Sequence, residues 1–205
     1  MHRPVSLASA ALTLFVALSG CSDGDGGGAG DGGDPLQARV LFVTTMGNFT
    51  VETDPEHAQR TVENFLQYVD DGFYAGTIFH RIVDRTGCGI AVVQGGGMTA
   101  DGQPKQTRAP IALEATAKEP NVKGSLSMAR TSAPDSATSQ FFVNMEDNPS
   151  LDASAPRTGY AVFAHVVDGM ENLTAMTKVA HSPDTVGRCD WRPRDPIVVQ
   201  EARRL

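Results

Sequence analysis

Eight short segments rich in β-branched and aromatic residues most constrain the fold of this 205-residue chain. Turn-forming residues separate them, which is typical of strands rather than helices. They span residues 40–43, 49–53, 77–83, 91–94, 124–128, 140–143, 160–167 and 196–202. A sheet of eight strands in a chain of this length removes its exposed edges if it closes on itself. The pattern therefore predicts one mainly-β domain built on a closed, eight-stranded antiparallel barrel.

Two other segments have the period of helices. Apolar side chains recur at i, i+3, i+4 and i+7 from Val62, which predicts an amphipathic helix over residues 61 to 71. Thr61 can cap its start and Gly72 can end it. A second short helix is predicted over residues 170 to 178. Two helices are enough to cover the open ends of the barrel.

The charge balance of the chain argues against one class of partner. The formal net charge is −7, and it would be −8 without the single arginine of the first twenty residues. Such a surface repels phosphate backbones. We therefore expect no nucleic-acid partner.

The first twenty residues resemble a secretory signal. A short cationic start precedes an apolar run over residues 5 to 18, which is shorter than the roughly 20 residues of a membrane span. It ends in Leu18-Ser19-Gly20-Cys21, the pattern of a bacterial lipobox. We expect a signal peptide over residues 1 to 20 and a stable lipid anchor on Cys21, with Ser22 favouring the outer membrane. An ordinary secretory signal with an incidental cysteine is the alternative.

A flexible tether is predicted to follow the lipidated cysteine. From Ser22 to Asp34 no apolar side chain is larger than alanine, and glycine is costly to order. We assign residues 21 to 37 to the lipidated cysteine and the tether. Residues 38 to 205 form the folded domain.

Two cysteines remain once Cys21 is acylated. In an oxidising compartment such a pair is usually joined, so a disulfide between Cys88 and Cys189 is expected. Two free thiols are the alternative. A metal site is disfavoured because no C-x-x-C or H-E-x-x-H spacing occurs in the sequence.

Two stretches in the middle of the chain carry the candidate chemistry. Phe79-His80-Arg81-Ile82-Val83 leads to Val92-Val93-Gln94-Gly95-Gly96-Gly97, and Ser127-Met128-Ala129-Arg130 leads to Ser139-Gln140-Phe141-Phe142-Val143-Asn144. They supply one fixed cation, one amide and several bulky apolar groups, which suits a pocket that grips a peptide. They resemble the cyclophilin family of peptidyl-prolyl cis/trans isomerases, most closely its bacterial periplasmic members. The likeness continues over about residues 38 to 202.

The resemblance implies a barrel packed with side chains and a substrate site on its outer face. Rotation about an X-Pro bond is slow because amide resonance sets a barrier of about 18–20 kcal/mol, and a donor aimed at the prolyl nitrogen weakens that resonance. By resemblance, Arg81 is the catalytic donor and Gln94 hydrogen-bonds the substrate backbone. This chemistry needs no cofactor, metal or nucleophile, so none is expected.

The other substrate contacts implied by the resemblance come from the second motif and the loop after it. They are Met128, Ala129, Arg130, Phe142, Leu151 and Tyr160. Met128 and Phe142 would line the proline pocket, and the last two would close it. Ala129 and Arg130 would offer backbone groups to an extended peptide.

The extended loop, residues 84 to 93, departs from the family pattern. Family members usually have Pro-Gly-Phe-Met here, with the phenylalanine in the pocket, whereas this loop is about five residues longer. Alignment back from Gln94 puts Ala91 at the phenylalanine position. Either Ile90 or Val92 fills the pocket, or the pocket is shallower and turnover is lower.

We expect a monomeric prolyl isomerase that acts on exported proteins from the bacterial cell envelope, as a lipoprotein facing the periplasm. The alternative is a tethered peptide-binding or chaperone module with little isomerase activity, which the missing phenylalanine favours. A serine hydrolase is disfavoured because the sequence contains no G-x-S-x-G elbow.

Overall fold

The computed structural model describes residues 34–182 and 189–205. The predicted signal peptide, Cys21 and most of the predicted tether lie outside these residues. The strands are β1 Arg39–Thr44, β2 Phe49–Thr53, β3 Thr77–Val83, β4 Val92–Thr99, β5 Ser125–Met128, β6 Phe141–Asn144, β7 Val162–Asp168, β8 Asp190–Trp191 and β9 Ile197–Arg204. The helices are α1 Pro55–Asp70, α2 Arg85–Cys88 and α3 Met170–Met176, with a 3-10 turn over Pro149–Leu151.

Eight of the strands form a closed antiparallel barrel, as predicted. Their order is β4-β6-β5-β7-β2-β1-β9-β3, and β3 pairs with β4 to complete the ring. The two-residue strand β8 is an addition that the sequence did not predict. It lies beside the end of β3, where Trp191 pairs with Ile82 and Asp190 pairs with Val83.

The barrel interior is filled by apolar side chains. Alternate residues of each strand point inwards, and the aromatic rings among them are in direct contact. Phe42 and Phe49 stack with ring centroids 4.8 Å apart, and Phe141 lies 5.6 Å from Phe42. All three are fully buried. The interior therefore has no space for a substrate, and binding is left to the outer face.

Helix α1 begins six residues earlier than predicted, at Pro55. Asp54, not Thr61, is the N-cap, because its carboxylate accepts the backbone N–H of His57 and the proline after it has no N–H to satisfy. The end of the helix agrees with the prediction. Gly72 follows it with a φ of +64°, a conformation that glycine adopts without strain.

A kink inside α1 explains why Thr61 has the character of a helix start. Ala58 has non-helical backbone angles, φ −151° and ψ 55°. The helical segment after it begins with the N–H groups of Arg60 and Thr61, which donate to the carboxylate of Glu114 at 3.1 and 2.7 Å. A carboxylate from a distant loop thus supplies the cap. Local sequence carries no sign of it.

Helices α1 and α3 correspond to the two predicted helices. The first packs on β7 and β9 and the second on β2, and α3 buries Leu173 and Met176. The four-residue α2 is an irregular turn inside the extended loop. Within the ranges that the structure describes, no helix combines the length and the apolar character needed to cross a bilayer.

Candidate active site

Three side chains of the two motifs stand in a row across neighbouring strands. Arg81 of β3 lies opposite Gln94 of β4, and Gln94 lies opposite Phe142 of β6. Their neighbours in the chain, Val93 and Phe141, are fully buried in the barrel core. The row therefore lies on the outer face, where strand alternation places it.

The row borders a pocket of about 130 Å³. Its lining residues all belong to the predicted set: Arg81, Ile90, Val92, Gln94, Ala129, Arg130, Phe142, Leu151 and Tyr160. The apolar base includes Val92 and Phe142, which form with Val83 a buried cluster separate from the barrel core. Pockets that enclose drug-sized ligands measure about 300–1,000 Å³, so this one suits a single side chain.

Two predicted pocket residues lie elsewhere. Met128 is 2% exposed and pairs with Phe141, so it faces the barrel interior rather than the pocket. Ala91 also packs against the barrel core, and its backbone N–H and carbonyl bond to the side chain of Asn148. Strand alternation explains both placements. Ala129 follows Met128 and Val92 follows Ala91, and these following residues take the outward-facing positions.

A disulfide fixes the extended loop. Cys88 in α2 is joined to Cys189, just before β8, with 5.7 Å between the two Cα atoms. This is the predicted pairing. The loop then enters the pocket with Ile90 and Val92 together, whereas the sequence left the choice between them open. These two aliphatic side chains line the pocket, in the loop where the family resemblance implied a phenylalanine.

The guanidinium of Arg81 is held on two sides. Its Nε donates to both carboxylate oxygens of Asp190 at 3.0 Å, and its Nη2 donates to one of them at 2.6 Å. On the other side, Nη1 donates to Oε1 of Gln94 at 3.0 Å. Sequence reasoning missed Asp190. The available signal was its position next to Cys189, since the predicted disulfide brings that segment to the extended loop.

Arg81 keeps hydrogen-bonding capacity towards the pocket. A guanidinium has five N–H groups, and three of them bond to Asp190 and Gln94. The other two have no partner among the described residues, and the side chain is 41% exposed. A substrate in the pocket can therefore receive a charged hydrogen bond from an arginine that is already in position.

Gln94 is fixed as well as Arg81. Its Oε1 accepts from the arginine, and its Nε2 donates to Oε1 of Gln140 at 3.1 Å. Gln140 lies directly over Gly97, where an added Cβ would come within 2.4 Å of its Cγ. The glycine therefore leaves the space that this chain of amides occupies. One lone pair of Oε1 and one N–H of Gln94 are left for a peptide backbone.

A group of three possible metal ligands lies outside the pocket. Asp54, His57 and Glu119 have ligand atoms within 4.8 Å of one another. Glu119 also lies 3.0 Å from Nε2 of His165, and within the group Nδ1 of His57 hydrogen-bonds Oδ2 of the N-cap Asp54 at 2.8 Å. This hydrogen bond raises the pKa of His57 above its usual value, and nearby carboxylates add to the effect. We assign the group to stabilising the start of α1.

Comparison with known proteins identifies the family. The profile described as "Cyclophilin type peptidyl-prolyl cis-trans isomerase/CLD" matches residues 39–204. The chain belongs to the cyclophilin family. The peptidyl-prolyl cis-trans isomerase A of Dickeya dadantii is 44% identical to this cyclophilin over 164 residues, covering 80% of this chain and 83% of that protein. The peptidyl-prolyl cis-trans isomerase B of Escherichia coli K12 is 43% identical over 167 residues, covering 78% and 96%.

A solved structure supports the same fold. It is a cyclophilin type peptidyl-prolyl cis-trans isomerase of Cryptosporidium parvum, determined in the presence of the dipeptide ala-pro. It matches this cyclophilin with a TM-score of 0.65 at 24% identity, covering 82% of this chain and 98% of that chain. The family and its named relatives make this cyclophilin a peptidyl-prolyl cis/trans isomerase.

Proposed function

We propose that Arg81 catalyses X-Pro isomerisation by donating a hydrogen bond to the prolyl nitrogen of a bound peptide. The observation that carries the proposal is the row of Arg81, Gln94 and Phe142 at the mouth of one small apolar pocket. It puts a charged donor beside a site of the right size for a proline ring. The reaction needs no covalent step, because only rotation about the amide bond is required.

The catalytic effect follows from differential binding. The pocket formed by Ile90, Val92 and Phe142 holds the pyrrolidine ring while the preceding carbonyl rotates. In the twisted state the nitrogen lone pair leaves conjugation and becomes a better acceptor, so a hydrogen bond from Arg81 is stronger there than in either planar state. Each tenfold increase in rate needs about 1.4 kcal/mol of such selective stabilisation.

The peptide backbone would lie along the groups beside the pocket. Gln94 offers one N–H and one lone pair, as described above. The N–H of Ala129 already donates to the carbonyl of Gln140 at 2.9 Å, so a peptide can use only the carbonyl of Ala129. Backbone contacts of this kind tolerate many sequences, which suits an enzyme for varied unfolded segments.

The experiment is protease-coupled isomerisation of an Ala-Pro-Phe reporter peptide by the purified protein in mild detergent. We expect wild type to accelerate the slow phase, Arg81→Ala to lose most of the rate, and Arg39→Ala to retain it. Arg39 is an exposed arginine of β1 paired with Glu52, so its removal makes the same charge change away from the pocket. Circular dichroism checks that all three proteins are folded.

Two negative results would separate the alternatives. An active Arg81→Ala variant would remove the arginine from the mechanism while leaving the enzyme class intact. A folded wild-type protein that binds the peptide without turnover would support the tethered peptide-binding or chaperone module. The observation that favours this second function is that the extended loop lines the pocket with the aliphatic side chains of Ile90 and Val92, where the family resemblance implied a phenylalanine.

We further propose that the enzyme acts as a monomer on exported proteins. It would be anchored in the cell envelope through Cys21 and face the periplasm, with the outer membrane as its expected location. The lipobox and the Cys88–Cys189 disulfide support this, since disulfides persist in oxidising compartments. Metabolic labelling with palmitate and membrane fractionation test it. Cys21→Ala should lose both the label and the membrane association, and a variant that keeps them would contradict the anchor.

A further inference from the structure

The carboxylate of Asp190 makes a two-point contact with Arg81. Both carboxylate oxygens face Nε, and one also accepts from Nη2 at 2.6 Å. Planar arginine and carboxylate groups matched in this way fix an angle as well as a distance. The third contact, from Nη1 to Gln94, completes a three-point hold on the guanidinium. Its plane is therefore set before any substrate arrives.

Such a hold matters because the arginine side chain is long and partly in solvent. Arg81 is 41% exposed, and a free arginine loses much rotamer entropy when it is ordered. A donor that is already ordered has no such cost at the moment of reaction, and it points at one place. Gln94 accepts a hydrogen bond from Nη1 only, whereas Asp190 accepts from both Nε and Nη2. Asp190 therefore provides most of the orientation.

Asp190 itself is held by backbone pairing and by the disulfide. It pairs with Val83 in the two-residue strand β8. The N–H of Asp84 donates to the carbonyl of Cys189 at 2.7 Å. The side chain of Cys189 is bonded to Cys88 in the extended loop. The residue immediately before Asp190 is thus tied to the loop through both its main chain and its side chain.

We propose that Asp190 is a positioning residue for Arg81, and that the Cys88–Cys189 disulfide keeps Asp190 in place. The extended loop then has two effects on the site. It contributes two aliphatic side chains to the pocket, and it anchors the carboxylate that orients the arginine. The inference rests on the proposed catalytic role of Arg81.

The first test is a double-mutant cycle on isomerase activity. We expect Asp190→Ala to lower kcat by about tenfold with KM changed less than about twofold, because orientation acts on the transition state. Asp190→Asn, which keeps one acceptor oxygen, should lie between Asp190→Ala and wild type. In an Arg81→Ala background Asp190→Ala should have less than about a twofold further effect, since it acts only through the arginine.

Asp195→Ala is the matched control. Asp195 lies in the same segment, its side chain is 84% exposed and it pairs with Arg194, so its removal makes the same charge change without touching Arg81. We expect wild-type activity from this variant. Two results would overturn the proposal by assigning the loss of activity to stability or charge. One is an equal loss of activity in Asp195→Ala, and the other is an undiminished effect of Asp190→Ala in the Arg81→Ala background.

The second test examines the disulfide. Cys88→Ser/Cys189→Ser should lower kcat in the same direction as Asp190→Ala and have little further effect when the two changes are combined. Reduction of the wild-type protein should give the same result. Wild-type turnover by the folded, disulfide-free protein would remove the disulfide from the proposal.

A third measurement does not depend on activity. In the NMR spectrum the Nε–H of Arg81 should exchange slowly with solvent in wild type, faster in Asp190→Asn and fastest in Asp190→Ala. Equal exchange rates in folded wild type and folded Asp190→Ala would overturn the positioning role. If Arg81→Ala is fully active, the catalytic proposal fails, but this exchange rate still reports whether Asp190 orients the arginine.

Discussion

The guanidinium of Arg130 lies over the ring of Tyr160, with its central carbon 4.6 Å from the ring centroid. Its Nε and Nη2 also donate to the carbonyl of Gly159 at 3.2 and 2.8 Å. Tyr160 in turn meets Phe142 edge-on, with 5.4 Å between the ring centroids. Arg130 therefore supports the wall of the pocket that Phe142 and Tyr160 form.

Removal of this support should weaken substrate binding. Stacking of this kind contributes about 0.5–1 kcal/mol at exposed sites, and a loss near 1 kcal/mol corresponds to about fivefold in affinity. We expect Arg130→Ala to raise KM by roughly that factor with a smaller change in kcat. Arg157→Ala is the control, because Arg157 bonds to Ser154 and the carbonyl of Ser150 rather than to the pocket wall. Equal kinetics for the two variants would contradict the prediction.

Val92 and Val93 offer a test that separates the pocket from the barrel core. Val92 belongs to the buried base of the pocket, whereas its neighbour Val93 belongs to the main core. Each valine-to-alanine change should lower the free energy of unfolding by about 1–3 kcal/mol. Only Val92→Ala should also reduce kcat/KM by several-fold. Urea unfolding measures the stability and the reporter assay measures the activity. An equal loss of activity in Val93→Ala would contradict a role for the pocket that is separate from that of the core.

Most of the barrel could be predicted from the sequence. Burial of one face of a strand imposes a two-residue period in its side chains, and this period is visible within each strand's own sequence. The predicted ranges 49–53 and 77–83 are the observed β2 and β3, and the remaining predicted strands differ from the observed ones mainly at their ends. β8 escaped prediction because two residues are too few to show any period. The start of α1 was predicted late because Glu114, which caps its second part, is more than fifty residues away in sequence.

Loss of the disulfide should lower stability substantially. Cys88 and Cys189 are 101 residues apart, and the chain-entropy model gives up to about 4.7 kcal/mol for a loop of about 100 residues. We expect Cys88→Ser/Cys189→Ser to lower the free energy of unfolding by about 2–5 kcal/mol in urea titrations. Wild type with added reductant should match the variant. If oxidised and reduced wild type unfold at the same urea concentration, the cross-link does not stabilise the fold.

His57 should make stability depend on pH. Its hydrogen bond to Asp54 raises the folded-state pKa above the usual value of about 6.5. The stabilisation is therefore fully present below about pH 6.5 and is lost as the pH rises through the folded-state pKa. We expect the stability difference between wild type and His57→Gln to be largest at acidic pH and to shrink towards alkaline pH, in urea titrations from about pH 5.5 to 8.5.

His80 provides a comparison of opposite sign. Burial lowers its pKa, with a smaller opposing effect from the backbone of Ile78. Its neutral form is favoured in the folded state, so wild type should lose stability as the pH falls below about 6.5, and His80→Gln should reduce that loss. Parallel pH profiles for the His57 and His80 variants would contradict both assignments.

The site was predicted less completely than the fold because its parts come from different distances along the chain. Arg81, Gln94 and Phe142 were accessible through motifs, and alternation alone separates Phe142 from the buried Phe141. Met128 was misplaced because its motif carries no indication of which face its strand presents. Asp190 contacts Arg81 from 109 residues away, so the predicted disulfide at the adjacent Cys189 was the signal that could have connected the two.

The Cys88–Cys189 bond also determines what proteolysis can release from the folded chain. It closes a covalent ring that contains β4 to β7 and α3. A single cut in any loop inside that ring leaves the two fragments joined by the disulfide. Arg81 lies on the first fragment and Asp190 on the second, with Phe142 on one or the other according to the cut, and all three stay in one molecule. A nicked enzyme would therefore run as an intact chain on a non-reducing gel and separate into two bands only after reduction.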